Sequence, residues 1–404
     1  MSTLRNAWAV LRREGAYAVL ARTVRRALPY TPTRPSLVAY EDAVAVDWRT
    51  PHPAVADPIA LPDGPLTVAW VMSPPGRNSG GHQNIFRFIE FLEDAGHTVR
   101  VYLYSTFDPH TPEEIRALLS TSSSYPDVAA SVERYPEGGI PADVDVLFST
   151  SWETAYRSYR DGSRARRLYF VQDYEPSFYA TSSESMLAEN TYRFGFTGIT
   201  AGGWLARKLA DEYGMPTEHF DFGADPRHYS LVERGPRTSV FFYARPETPR
   251  RGFELGAMAL DLFARDRPQY EIVLAGQNLS RLELPFPHRV VGNLQVGELN
   301  ALYNTCAAGL VMSLTNMSLL PLELLAAGVI PVVNDAPNNR LVSDNPYIAF
   351  ADANPRALAD ALIEVVDRAD AAGYAARAAA SVSSLGWEGS GRQFLAAFER
   401  SVRG

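Results

Sequence analysis

The sequence predicts an α/β protein built on open parallel sheets, and three observations carry that expectation. Residues 308–335 read as strand, polar loop, short helix, strand. Residues 66–104 follow the same order around a glycine-rich turn. The chain has 404 residues, room for two to three domains at about 100–200 residues each. Its composition, 46% hydrophobic and 21% charged, is that of a globular protein.

The first unit starts with Ala308-Gly309-Leu310-Val311-Met312, an apolar run short enough for one buried parallel strand. Ser313 to Ser318 form a polar loop. Pro321 suits the first turn of a helix, where its missing N–H costs nothing, and Leu322, Leu324, Leu325, Ala326 and Ala327 continue that helix. Gly328 ends it, and Val329-Ile330-Pro331-Val332-Val333 is the next strand. In an open α/β sheet such a loop faces the crevice at the carboxyl ends of the strands, where ligands bind. The helix start near Ser318, Leu319 and Leu320 offers free N–H groups to an anion. Glu323, one turn in, can accept hydrogen bonds from ligand hydroxyls. An anion beside hydroxyls describes a nucleoside diphosphate and its ribose. The plain alternative is an ordinary α/β unit with a solvated glutamate.

In the second unit, Leu66–Met72 is a strand, Ser73–His82 its exit loop, 83–95 a helix and Thr98–Tyr104 the next strand. The loop lacks G-x-G-x-x-G, so nicotinamide dinucleotide is not indicated. His82 is either a site residue or a polar residue of the first helical turn. Further strands at Val146–Phe148 and Leu168–Val171 lead into Ser149–Tyr156 and Gln172–Tyr179. Both exit loops lie at carboxyl ends and mix aromatic rings with carboxylates. That mix suits sugars, whose apolar faces lie on rings while their hydroxyls need acceptors; aromatic packing with a capping carboxylate is the alternative. Asp143-Val144-Asp145 has the look of a metal-binding triplet but precedes its strand, at the wrong end for the crevice. A helix at 203–213, strands at Ser239–Ala244 and Ile272–Ala275, and helices at 297–307, 355–368 and 390–401 complete the pattern.

Several function classes are disfavoured. The net charge of −8 argues against general nucleic-acid binding. One cysteine, Cys306, permits no disulfide framework, and its place inside the expected 297–307 helix suggests a buried, inert thiol. No apolar run approaches the ~18–20 residues of a membrane span, and no secretory signal is visible, so a cytoplasmic protein is expected. Residues 1–28 read as a helix with Arg5, Arg12, Arg13, Arg22, Arg25 and Arg26 against Glu14. It either lies on an anionic membrane at the inner face of the cell membrane or packs on the protein with its basic face solvated. Residues 29–65 are proline-rich and suggest an extended arm. Lys208 is the only lysine, so phosphate binding falls to arginine, whose fork grips two oxygens at once.

The run Glu323-Leu324-Leu325-Ala326-Ala327-Gly328-Val329-Ile330-Pro331-Val332-Val333 resembles the nucleotide-sugar signature of glycosyltransferase family 4, enzymes of the GT-B fold. The strings 149–156, 172–179 and 192–202 resemble WsaF-type bacterial rhamnosyltransferases within that family. The resemblance implies two Rossmann-like domains facing across a cleft; it does not cover the N-terminal helical and extended arm. The chain then divides into the arm (1–65), an acceptor domain (66–235), a nucleotide-sugar domain (236–385) and a last helix (386–404) that in this fold often crosses back to the first domain. It implies transfer of a sugar, first of all L-rhamnose from dTDP-L-rhamnose, to a hydroxyl of a growing surface polysaccharide or lipid-linked glycan, with retention and without a metal or other cofactor. A UDP- or GDP-sugar donor, or a degenerate glycan binder, is the competing expectation. Residue by residue, Arg245 and Arg251 fall on the donor diphosphate with Ser318, Leu319 and Leu320. Glu323 falls on the ribose, and Gly292, Asn293 and Leu294 on the base. Gly80, Gly81, His82, Trp152 and Gln172 fall on the acceptor side. Asp173 or Glu153 would orient or deprotonate the acceptor. Two departures from the family pattern stand out: Thr315 replaces a second glutamate, and Gln172 replaces a histidine.

Overall fold

The structure is a computed structural model and describes residues 37–403 apart from 48–56, 78, 123, 233, 234, 277, 278, 280–282, 293 and 295. The basic helix expected at 1–28 lies outside the described residues. Two parallel sheets organise the chain. The first contains β1 (Thr67–Met72), β2 (Thr98–Leu103), β3 (Ser131–Arg134), β4 (Val146–Ser149), β5 (Arg166–Val171), β6 (Thr197–Ala201) and β7 (Thr217–Phe220), in the order β3-β2-β1-β4-β5-β6-β7. The second contains β8 (Ser239–Tyr243), β9 (Glu271–Ala275), β10 (His288–Gly292), β11 (Cys306–Val311), β12 (Ile330–Asn334) and β13 (Ala349–Ala351), in the order β10-β9-β8-β11-β12-β13. The inner strands are nearly continuous apolar runs, as burial on both faces requires: every residue of β4 and of β12 is buried.

In each sheet the strand order reverses once, between β1 and β4 and between β8 and β11. The loops leaving those strands therefore diverge and open a crevice. In the first sheet these are 73–79, which enters α2 (Gly80–Asp94), and 150–151, which enters α4 (Trp152–Arg160). In the second they are 244–252, which enters α7 (Phe253–Asp266), and 312–319, which enters α9 (Leu320–Ala326). α9 ends as the sequence suggests. Gly328 takes φ +71, and the Gly328 and Val329 N–H groups donate to Leu325 and Leu324 carbonyls at 2.8 Å each. That closure needs a left-handed residue, which glycine supplies without strain.

Two crossings join the sheets. The segment Phe222–Asp225 leaves the first for the second, and the chain returns at Leu385-Gly386 into α13 (Trp387–Arg403). The crossings touch: Ala224 N–H donates to the Leu385 carbonyl at 2.7 Å, and a Cβ on Gly223 would stand 2.9 Å from Leu385 O and Gly386 C. α13 then packs on the first sheet. The buried Phe394 ring lies 6.4 Å from Trp70, 6.3 Å from Phe148, 6.0 Å from Phe170 and 6.1 Å from Phe220, and 4.7 Å from Phe88 of α2. The last helix is thus part of the first sheet's core, and it holds the two sheets together by covalent chain.

Two expectations are corrected, and Asp143 and Asp145 stand at the strand entry as expected. The extended arm contains a short helix, α1 (Tyr40–Val44), because Asp42 is buried against α4: Arg160 lies at 2.9 Å and Arg157 at 3.6 Å, and Tyr104 donates its hydroxyl at 3.0 Å. The helix expected at 297–307 stops at Tyr303 in α8 (Val296–Tyr303), and Cys306 opens β11, where the parallel ladder claims its backbone. The thiol is buried, as expected, and burial raises its pKa to about 11. Asp143 and Asp145 are tied up at the start of β4: Arg100 donates to Asp143 through two N–H groups, and Asp145 accepts the Thr67 N–H at 2.8 Å.

Removing the Phe394 ring should leave a void shared by both faces of this junction. We expect Phe394→Ala to cost about 3–5 kcal/mol in urea unfolding; a cost below about 1 kcal/mol would mean that α13 is not part of the first core.

Candidate functional site

The crevice of the second sheet is basic. A single tight turn at Pro249–Arg251 follows β8, and Gly252 adopts φ +53 there, letting the chain fold back toward β11. Arg251 is half-buried. Its Nη1 donates to Ser313 Oγ at 2.8 Å and to the Asn316 carbonyl at 3.4 Å. Burial lowers its pKa, opposed by the charge of Asp173. Arg250 lies with its guanidinium 4.0 Å from the Phe178 ring centre. Arg245 is exposed at the mouth and donates to Tyr243 Oη at 3.2 Å.

The loop after β11 is held from behind by amides. The Ser313 carbonyl accepts from Asn334, Asn338 and Asn339 side chains at 2.9, 3.2 and 3.1 Å, and Asn334 Oδ1 accepts the Ser313 N–H at 2.8 Å. Asn338 and Asn339 sit on α10 (Pro337–Arg340). These bonds fix Ser313 to Asn316 so that Asn316 projects into the other domain's edge. Its Nδ2 donates to Gln172 O at 3.0 Å and Ala201 O at 2.9 Å. Asn316 Oδ1 and Thr315 Oγ1 are buried and without a protein partner.

Across the cleft, Asp173 leaves β5 and enters this basic crevice. Oδ1 accepts the Asn316 N–H and its neighbour Tyr174 N–H, both at 2.9 Å; Oδ2 accepts Arg250 Nε at 3.2 Å and lies 3.9 Å from Arg251 Nη2. Both Asp173 oxygens, expected to orient or deprotonate an acceptor, are engaged in this structure by cations of the second domain and by backbone N–H groups.

On the first sheet's side the carboxylates sort differently. Glu153, in the first turn of α4, accepts from Ser151 Oγ at 2.9 Å, and burial raises its pKa. Glu175 is buried. Its Oε2 accepts the Trp152 N–H at 2.7 Å and the Tyr169 hydroxyl. Burial pushes the Glu175 carboxyl up to about 8, against those two hydrogen bonds, with Glu153 and Asp173 adding to the rise. Trp152 is corrected as a sugar platform: 1% exposed, it packs edge-on against Tyr156 and Tyr179 and donates Nε1–H to Tyr179 Oη at 3.1 Å. Gln172 donates to the Gly81 carbonyl at 3.1 Å and accepts from Asn84 at 3.3 Å, joining the loop after β5 to the start of α2. Gly80 stands open, with nothing near a Cβ position. His82 binds the Ser73 carbonyl through Nε2 at 3.0 Å and Ser79 Oγ through Nδ1 at 2.7 Å. A carbonyl can only accept, so Nε2 carries the proton, and burial keeps the ring neutral by lowering its pKa. His82 thus ties its own loop.

Glu323 lies on α9 where the first domain approaches. Tyr229 is its hydrogen-bond partner, and burial pushes it up to about 7, opposed by the charge of Arg87 from α2. Arg87 is stacked 3.9 Å over Trp387 of α13. Ser318 and Leu319 are half-buried before the helix and Leu320 is buried. Gly292 ends β10 with φ +68 and open space above it, Leu294 is half-buried, and Asn293 lies outside the described residues. The structure brings together Arg251, Ser313, Asn316, Asp173 and Gln172. It places Glu153 and Glu323 in separate environments along the cleft. Sequence reasoning missed Arg250, which its doublet with Arg251 could have signalled. It also missed Asn316 and Glu175 as structural anchors, for which no spacing rule exists.

Two parallel sheets with facing crevices, one of them lined by arginine, define the GT-B fold. Solved structures agree on that fold. Sucrose-phosphate synthase from Thermosynechococcus elongatus superimposes with TM-score 0.62 at 14% identity, covering 83% of this chain and 98% of that one. The Anabaena protein HepE, solved with UDP and glucose, gives 0.61 at 13% identity, covering 83% and 100%. Within that class the chain belongs to the WsaF family: residues 122–201 match the WsaF N-terminal domain and 238–363 the WsaF C-terminal domain. An O-antigen biosynthesis protein, RfbC of Myxococcus xanthus, is 34% identical over 334 residues, 80% of this chain. This chain spans about a quarter of that relative's length, 26%.

The Glu175 environment has a pH consequence. Its usual value is 4.5 and its folded value about 8, so between those limits the native state holds a proton that the unfolded chain has lost. Stability contributed by this group therefore falls as pH rises across that window. Glu175→Gln keeps an acceptor and cannot ionise. We expect the melting temperature of the variant to gain on wild type steadily from pH 5 to pH 8; a difference that stays flat over that range would show that Glu175 is not held protonated.

Proposed function

We propose that this protein transfers L-rhamnose from dTDP-L-rhamnose to a hydroxyl of a growing surface polysaccharide or lipid-linked glycan. One observation carries the reading: Arg250, Arg251 and the Asn316 N–H already converge on a single carboxylate in the crevice of the second sheet. Such a group suits a diphosphate, which offers more charge and more oxygens. Arg245, exposed beside it, extends the positive edge. Guanidinium groups fixed in place stabilise the charge that builds on a departing diphosphate without reorganising. Glu323 and Tyr229 would take the sugar hydroxyl of the nucleoside. A deoxyribose presents only its 3′-OH, for which one glutamate suffices, so the missing second acid at Thr315 is no obstacle. Gly292 and Leu294 would border the base. Glu153, half-buried and with its pKa raised by burial, would orient the acceptor hydroxyl. The course would be retaining, with arginine rather than a metal ion answering the diphosphate charge.

The O-antigen role of the M. xanthus relative supports a surface-glycan product. HepE, solved with UDP and glucose, supports a nucleotide-sugar donor and favours UDP as the second reading. Among the described residues no helix is long and apolar enough to cross a membrane. Contact with a lipid-linked acceptor would then come through the arginine-rich residues 1–28.

Nucleotide choice is read by thermal stabilisation, since a ligand of the folded state adds RT ln(1 + [L]/Kd), about 2.7 kcal/mol at a hundredfold excess over Kd. The expected order is dTDP above UDP and GDP. Arg251→Ala should abolish the shift, and Glu323→Ala should lower sugar-transfer turnover by about a hundredfold with the fold intact. EDTA should leave turnover unchanged. A UDP preference would replace the donor and keep the transferase; no shift with any nucleotide would remove the reading. Deleting residues 1–28 should abolish sedimentation with anionic vesicles, and undiminished sedimentation would end the membrane proposal.

A further inference from the structure

The placement of Asp173 goes beyond holding two domains together. Its carboxylate comes from the first sheet, yet its partners are the groups of the second sheet suited to a diphosphate. We propose that Asp173 is a tethered stand-in for the donor's diphosphate, occupying the anion site of Arg250, Arg251 and the Asn316 N–H until the donor displaces it. The inference rests on the nucleotide-sugar reading and adds to it a regulation of the same site.

Four features argue for exchange rather than a permanent bridge. First, the charges do not balance: one carboxylate faces two guanidinium groups, 3.2 and 3.9 Å away, and the longer separation is an unfilled hydrogen bond. Arg251 spends its donors on Ser313 Oγ and a backbone carbonyl, which orient it without neutralising it. Second, the Asn316 N–H belongs to a loop fixed from behind by Asn334, Asn338 and Asn339. The site therefore keeps its shape when the anion changes. Third, the other bonds across the cleft do not involve the Asp173 carboxylate: Asn316 Nδ2 grips the Gln172 and Ala201 carbonyls. Losing Asp173 from the site leaves the domains joined. Fourth, Asn316 Oδ1 and Thr315 Oγ1 stand buried and unpartnered beside the site. Buried oxygens of this kind normally have a partner, which a bound ligand's hydroxyl would provide.

A side chain anchored on the neighbouring domain competes at an effective concentration on the order of millimolar. It keeps chloride and single phosphates off the arginines, while a diphosphate with several charged oxygens wins. The exchange also reaches the acceptor side. Gln172 and Glu175 flank Asp173, and they hold the Gly81 carbonyl and the Trp152 N–H at the start of α2 and α4. Moving Asp173 releases the segment between those two anchors, so the donor would prepare the site for the acceptor.

The test is isothermal titration of the full chain at fixed ionic strength with two probes, dTDP and inorganic pyrophosphate. Asp173→Asn keeps the shape and an acceptor for the Asn316 and Tyr174 N–H groups but removes the charge; Asp173→Ala removes both, and Asp173→Glu keeps the charge. We expect the Asn and Ala variants to bind both probes at least about fivefold tighter than wild type, within the range of ordinary coupling between sites, and the Glu variant to stay near wild type. Equal or weaker binding by the Asn and Ala variants would overturn the inference, making Asp173 an organiser of the arginines, and would leave the nucleotide-sugar reading intact. Tighter pyrophosphate binding with no dTDP binding in any variant would keep the stand-in and discard the dTDP-sugar donor. Failure of every protein to bind either probe would discard both.

Discussion

One carboxylate facing two guanidinium groups across the cleft is the constraint on which the arrangement of this molecule depends. Asp173 is carried there by β5, and Arg250 and Arg251 by the turn after β8. The carboxylate belongs to the first sheet and its cationic partners to the second. A buried charge without a partner is costly, and this contact forms where the two crevices face each other, beside the Asn316 bonds to the Gln172 and Ala201 carbonyls. The touching crossings at Gly223 and Leu385 and the return of α13 to the first sheet restrict the remaining freedom.

Behind this contact stands a layer of neutral amides. Three asparagines spend their donors on the Ser313 carbonyl, and the loop they hold presents both the Arg251 anchor and the Asn316 N–H. Neutral groups suit this task. They fix a backbone at depth without adding charge to a site that must remain positive. On the opposite side a buried acid does comparable work: Glu175, held neutral by burial, ties the start of α4 to the loop that carries Asp173. The acceptor side and the donor side are thereby connected through a few residues of one loop, from Gln172 to Glu175.

Much of the fold was legible. The strand–loop–helix–strand units around 66–104 and 308–335 stand as expected, because their signals are local: apolar runs of strand length, a proline in a first turn, a glycine at a left-handed position. The short edge strands β3, β7 and β13 and the helices α5 (Ser183–Asn190) and α12 (Ala371–Ser381) were not read, since β3 and β7 are half-polar, β13 is only three residues long and α12 is an alanine-rich run with a weak apolar stripe. The site was legible as loops and less so as residues. Arg251, Gln172 and Glu323 lie where the chain order put them, at carboxyl edges. Trp152 and Asp173 show where that logic ends: each sits in an expected loop, yet the ring turns into the core and the carboxylate turns across the cleft.

The sequence by itself determined the α/β class, the two crevice-bearing units, a set of basic side chains that is arginine but for one lysine and the histidines, and the resemblance that family membership now bears out. These follow from periodicity and composition, which act over a few residues at a time. Tertiary structure alone decided which ionisable groups meet. Asp173 and Arg250 are 77 residues apart in the chain, and Asn316 and Asp173 are 143 apart. No local pattern encodes such a pairing. It arises because two separately folded sheets bury polar edges against each other, and at a buried edge every charge and amide must find its partner or be lost as stability.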